Sequence, residues 1–218
     1  MADETDVLFQ EIEDDLRQDQ ANRFWTNFGK YIVGAAVVLV VSVASVQGWK
    51  SYDLKQQQAA GEAFSSAQKL VSDKNLDEAL EVFTKISAMG SRYSVLAKFK
   101  SAALMRESGN LSGAINNYRQ LANNNKINTY YKEMAIIIGA FVELDTKDKE
   151  AILIAQVESL NDAKNPWRHS AREILGLNAM KNGDKSKASL FFKTIAEDAT
   201  APKEIKDRAG EMLIIVSG

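Results

Sequence analysis

The chain has 218 residues, 45% of them hydrophobic and 26% charged, the balance of an ordinary folded protein. It has no cysteine, which excludes disulfides and thiolate metal sites, and two prolines, which argues against long rigid linkers. The formal net charge is -2 and no basic cluster stands out, so nucleic acid is not an expected partner.

The charge is unevenly spread. Residues 1–30 carry the acids Asp3, Glu4, Asp6, Glu11, Glu13, Asp14, Asp15 and Asp19 against the bases Arg17, Arg23 and Lys30. Residues 5–28 read as a helix with Val7, Leu8, Ile12 and Leu16 on one side. That face suits either a short docking helix or a solvated tail. Phe24, Trp25 and Phe28 read as anchors at a membrane interface.

Residues 31–49 carry no charge, and Lys30 and Lys50 bracket them. Nineteen residues at 1.5 Å each give about 28 Å, against a hydrocarbon core about 30 Å thick. Aromatics stand at both ends, Trp25, Phe28 and Tyr31 before and Trp49 and Tyr52 after, as in an interfacial belt. A cleaved signal would have a basic leader and a shorter apolar core. A buried soluble helix would keep a polar face. The pattern predicts an uncleaved transmembrane helix over 31–49. Its flanking bases do not orient it: Arg17, Arg23 and Lys30 on one side balance Lys50, Lys55 and Lys69 on the other.

Beyond the span the chain is helix-forming throughout and contains a repeat. The segments "DKNLDEALEVFTKI" (73–86), "SGNLSGAINNYRQL" (108–121) and "NGDKSKASLFFKTI" (182–195) share one pattern. A turn residue (Asn75, Asn110, Asp184) precedes a small one (Ala79, Ala114, Ala188). An aromatic follows four later (Phe83, Tyr118, Phe192), then an aliphatic (Ile86, Leu121, Ile195). A weaker fourth copy fits at 145–160, with Ala151 as its small residue and Ala155 where the aromatic belongs. Twelve residues before each small residue stands Ala67, Ala102, Gly139 or Gly176, which lets paired helices approach closely. The period is close to the 34 residues of tetratricopeptide repeats. These features predict an all-α fold: one transmembrane helix, then a tetratricopeptide-like solenoid over 50–218 with about four helix pairs. Residues 202–218 close it, with Ile205, Ala209, Met212, Leu213 and Val216 on one face.

The residues offer little chemistry. His169 is the single histidine and reads as a helix-start residue. Asp162 and Glu173 are not evidently paired with another carboxylate on one face. "GNLSG" and "NGDKS" are turns between helices and lack the strand and the lysine–serine step of a phosphate loop. No metal-spaced cluster is visible, so neither an enzyme nor a cofactor is expected. In such solenoids the first helix of each pair lines the concave face. The repeat phase puts Phe64, Phe99, Lys100, Arg106, Ile136, Glu173, Leu177 and Met180 near that surface. Their apolar members would equally serve as core between repeats.

The layout resembles the YfgM-like family of ancillary subunits of the bacterial SecYEG translocon. The likeness covers most of the chain. It rests on "FWTNFGKYIVGAAVV" leading through "GWKSY" into "AGEAFSSA", and on "NPWRHSAREILGLNAMKNGDKSKASLFFKTI". The resemblance implies a single-pass inner-membrane protein with a cytoplasmic tail over 1–30 and a periplasmic repeat domain. It implies association with the SecYEG channel and with a membrane-anchored periplasmic chaperone of the prolyl-isomerase-like class. Ala155 departs from the pattern and would interrupt the repeat groove at the third copy. A rival reading is an envelope regulator or assembly factor that tethers a signalling or cell-division protein through the acidic tail.

Overall fold

The computed structural model describes residues 2–146 and 152–217, with side chains from residue 23 onward. Among the described residues every regular element is helical. The chain divides into two compact units, Met1–Gln56 and Gln57–Gly218.

The first unit belongs to helix α1 (Ala2–Ser72). Its apolar residues have no packing partners: Val38, Leu39 and Val40 are 66%, 64% and 65% exposed. The segment Arg23–Ser72 includes the one stretch among the described residues that is long and apolar enough to cross a membrane. Its polar side chains bond to their own helix. Ser42 Oγ donates to the Val38 carbonyl at 2.7 Å and Ser45 Oγ to the Val41 carbonyl at 2.8 Å. Satisfying polar groups within the helix is what a hydrocarbon surrounding requires. The chain is consistent with a single-pass membrane anchor.

In the second unit, residues 57–72 of α1 are followed by α2 (Leu76–Ala88), α3 (Ser94–Glu107), α4 (Leu111–Ala122) and α5 (Thr129–Leu144). Then come α6 (Ile152–Val157) with a tight 3-10 turn (Glu158–Leu160), α7 (Arg168–Lys181), α8 (Lys185–Glu197) and α9 (Lys203–Ser217). Consecutive helices pack as pairs. Three of the turns within pairs share one geometry. Lys74, Gly109 and Gly183 have φ of 63°, 82° and 78°, the left-handed conformation that ends a helix. The next residue reaches back in each: Asn75 N to Leu70 O at 2.9 Å, Asn110 N to Met105 O at 2.8 Å, Asp184 N to Ala179 O at 2.9 Å. Asn110 and Asp184 then cap the following helix, each Oδ1 accepting from the backbone N–H three residues on, at 2.9 Å. One residue thus closes one helix and opens the next, which keeps the pairs short and antiparallel.

The small and aromatic residues of the repeat meet in the interior. Ala67, Ala79 and Phe83 are fully buried in the first cluster, as are Ala188 and Phe192 in the last. Ala102, Ala114 and Tyr118 lie in the middle cluster. A Cβ on Gly176 would stand 2.7 Å from Phe192 Cε1. One on Gly139 would overlap Leu153 Cδ1 and lie 2.7 Å from Tyr118 Cβ. Glycine is required at both for the helices to approach.

The third pair differs from the repeat phase expected of it. Ala151 lies outside the described residues, and Ala155 is exposed. The residue that meets Gly139 is Leu153, two positions earlier. An alanine is too small to fill the space an aromatic fills elsewhere, and a leucine takes it instead. Buried Glu143 secures this arrangement. Its Oε2 accepts from Leu153 N at 2.9 Å and Ile154 N at 3.0 Å, and its Oε1 from Arg119 Nη2 at 2.9 Å. One carboxylate on α5 thereby ties α4 to the start of α6.

Candidate protein-binding groove

The first helices of the pairs present matching stripes to one side of the second unit. On α3 the stripe is Leu96, Phe99, Lys100, Ala103 and Arg106, at helical spacing. On α5 it is Met134, Ile138 and Phe141. Phe64 and Gln68 come from α1, and Leu177 and Lys181 from α7. These stripes enclose a cavity of about 730 Å³ between α1, α3 and α5, and another of about 680 Å³ towards α7. The two share Arg106 and Ile138, so they form one trough. A third cavity of about 530 Å³ extends it over Val71 and Ser72.

The floor is aromatic and aliphatic. Phe99 stacks near Tyr118, ring centroids 6.0 Å apart, and Phe64 lies edge-on to Phe83 at 5.2 Å. Burial pushes the Tyr118 phenol pKa up, and the Arg106 charge opposes that in part, so the hydroxyl stays protonated. Lys181 closes the end of α5, its Nζ donating to the carbonyls of Leu144 at 2.9 Å and Thr146 at 2.5 Å.

Of the residues that the repeat phase assigned to the concave face, Phe64, Phe99, Lys100, Arg106 and Leu177 line this trough. Three others sit elsewhere. Ile136 packs against the middle cluster, because two residues along a helix turn a side chain about 200° from Met134 and Ile138. Met180 packs against the last cluster. Glu173 is 6% exposed and holds α9: Arg208 Nε donates to its Oε1 at 2.6 Å and Nη2 to its Oε2 at 2.8 Å. Met134, Ile138 and Ala103 were readable from the sequence by stepping three or four residues along each first helix.

His169, the second residue of α7, is 5% exposed, with Nδ1 3.7 Å from Asp198 Oδ2 and Nε2 3.5 Å from Thr200 Oγ1. Burial lowers its pKa, as do the charges of Arg168 and Arg172, while Asp198 opposes them. Hydrogen bonds from Thr200 hold the Asp198 carboxyl down at about 2. Arg172 Nη1 also reaches Asp198 Oδ2, at 3.2 Å. This cluster pins the α8–α9 turn to α7. In the first unit, Trp25, Phe28, Tyr31, Trp49 and Tyr52 are exposed at 59%, 52%, 65%, 75% and 62%. Tyr31 and Trp49 lie about 27 Å apart along the helix at 1.5 Å per residue.

Residues 22–205 match the tetratricopeptide repeat-like domain. The chain belongs to that family. No curated protein and no solved structure gives a match. Tetratricopeptide-like scaffolds generally mediate protein–protein contacts and are typically non-enzymatic. The trough on the first helices is the concave surface on which this repeat-like domain holds a partner.

Proposed function

We propose that this protein is a membrane-anchored, protein-binding scaffold, and specifically an ancillary subunit of the SecYEG translocon that links the channel to periplasmic chaperones. The observation that carries the binding part is the continuous trough on the first helices, in a chain that also has an exposed apolar segment of spanning length. The translocon part rests on the resemblance of the anchor and of the last helix pair. In this reading residues 1–30 are cytoplasmic, 31–49 span, and 50–218 stand in the periplasm beside emerging chains.

Crosslinking in native membranes tests the assignment. Photoreactive groups placed at Leu96 and Leu177 should capture a channel subunit or a membrane-anchored prolyl-isomerase-like chaperone. Capture of neither, with the protein present at its normal level, would overturn the translocon reading. A reporter fused after Gly218 should be active only outside the cytoplasm; cytoplasmic activity reverses the topology.

A further inference from the structure

From the lining of the trough we infer that its occupant is an amphipathic helix whose apolar face is flanked by acidic side chains. Three features carry this. The first is charge. Among the described residues neither Lys100 nor Arg106 has an ion-pair or hydrogen-bond partner, whereas Arg119, Arg172 and Arg208 are each paired with a carboxylate. The other charges on the lining are Glu107, Asp145 and Lys181, and Lys181 is held by backbone carbonyls. Lys100 and Arg106 therefore stand as cations beside an apolar floor, where a carboxylate from outside gains most.

The second feature is shape. Lys100 and Arg106 lie three residues to either side of Ala103, which is exposed and small. A helix settling on Ala103 approaches α3 closely and brings its flanking side chains against both cations. The third is the backbone of the occupant. An extended segment needs partners for its own N–H and C=O groups. Gln68 is the one side-chain amide among the described lining residues. A helix satisfies its backbone internally and presents only side chains, which is what a floor of Phe64, Phe99, Met134 and Ile138 accepts. The trough crosses four first helices, about 27 Å at 8–10 Å per step, and so takes roughly 18 residues of helix.

The inference rests on the binding role proposed above but not on the translocon. Fluorescence anisotropy with the full chain in phosphatidylcholine nanodiscs tests it, using three labelled 18-residue peptides. One is helical with a leucine face flanked by glutamates, one has lysines in their place, and one is the glutamate peptide broken by a central proline. The glutamate peptide is expected to bind at least about tenfold tighter than either other. Lys100→Glu with Arg106→Glu should reverse the preference between glutamate and lysine peptides. Ala103→Trp should weaken the glutamate peptide about tenfold, because it fills the trough without touching the core. Equal binding of the lysine or the proline peptide, no binding by any peptide, or indifference to Ala103→Trp overturns the inference. Capture of a channel subunit alongside such a failure would leave the translocon reading standing; selective peptide binding without capture would do the reverse.

Discussion

Gly176 gives the sharpest test of how the helix pairs close. A Cβ there stands 2.7 Å from Phe192 Cε1 and 2.8 Å from Phe192 Cζ. An ordinary carbon contact is about 3.5 Å, so the ring must retreat by about 0.8 Å. Phe192 is fully buried and has no free space to enter. Overpacking of this kind costs about 1–3 kcal/mol. Alanine also favours a helix over glycine by about 1 kcal/mol, which offsets part of that. Gly210 on α9 supplies the control, since nothing lies within 4 Å of a Cβ built there. Gly210→Ala should therefore stabilise by about 1 kcal/mol through propensity alone. The two alanines share the propensity gain, so they should differ by the packing cost of about 1–3 kcal/mol. Thermal unfolding of the full chain in detergent reads this as a lower Tm for Gly176→Ala, about 2–4 °C per kcal/mol. Gly176→Leu should fall further. Equal Tm values for the two alanine variants would refute the close approach of α7 and α8.

Lys74 is the one non-glycine among the three left-handed turn residues, so Lys74→Gly should raise stability by about 1 kcal/mol in urea unfolding, and Gly109→Ala should lower it by about as much. Glu143→Gln should destabilise by roughly 2–4 kcal/mol, because Arg119 loses its partner and two backbone N–H groups lose a charged acceptor. The His169 cluster makes stability fall with acid. The folded-state pKa of His169 lies below 6.5, so the unfolded chain takes up the proton first and stability declines as pH drops from about 6.5. Asp198, held at about 2 against 3.8, adds a second loss as pH falls from about 4 to 2. His169→Gln should flatten the upper limb of a Tm-against-pH curve and leave the lower one.

Local pattern fixed much of this fold in advance. The uncharged run 31–49 and the alternation of a small residue with an aromatic four later depend only on helical spacing, which sequence displays directly. Ala79, Phe83, Ala114, Tyr118, Ala188 and Phe192 are accordingly all buried. What escaped was set by residues distant along the chain. That Glu173 belongs to Arg208, 35 residues on, follows from where α9 packs. The hold of Glu143 on the start of α6 spans a turn whose course no periodicity reveals. On the concave face, phase gave α3 correctly. It missed on α5, where Ile136 stands in a run of four aliphatic and small residues, Ala135 to Ile138, that points every way round the helix.

The third pair shows why the departure at Ala155 has a limited reach. An aromatic missing from a repeat would be expected to break the binding surface there. The missing bulk, however, belongs to a second helix, whose buried face meets the first helix of its own pair. The trough is made by the other side of the first helices. Its two larger cavities are joined through Arg106 on α3 and Ile138 on α5, and Phe141 and Leu177 carry the floor onward to α7. Leu153 and Glu143 repair the packing behind α5 and leave its outward stripe intact. Because a repeat separates the face that packs from the face that binds, one copy loses its signature residue and the groove stays continuous across it.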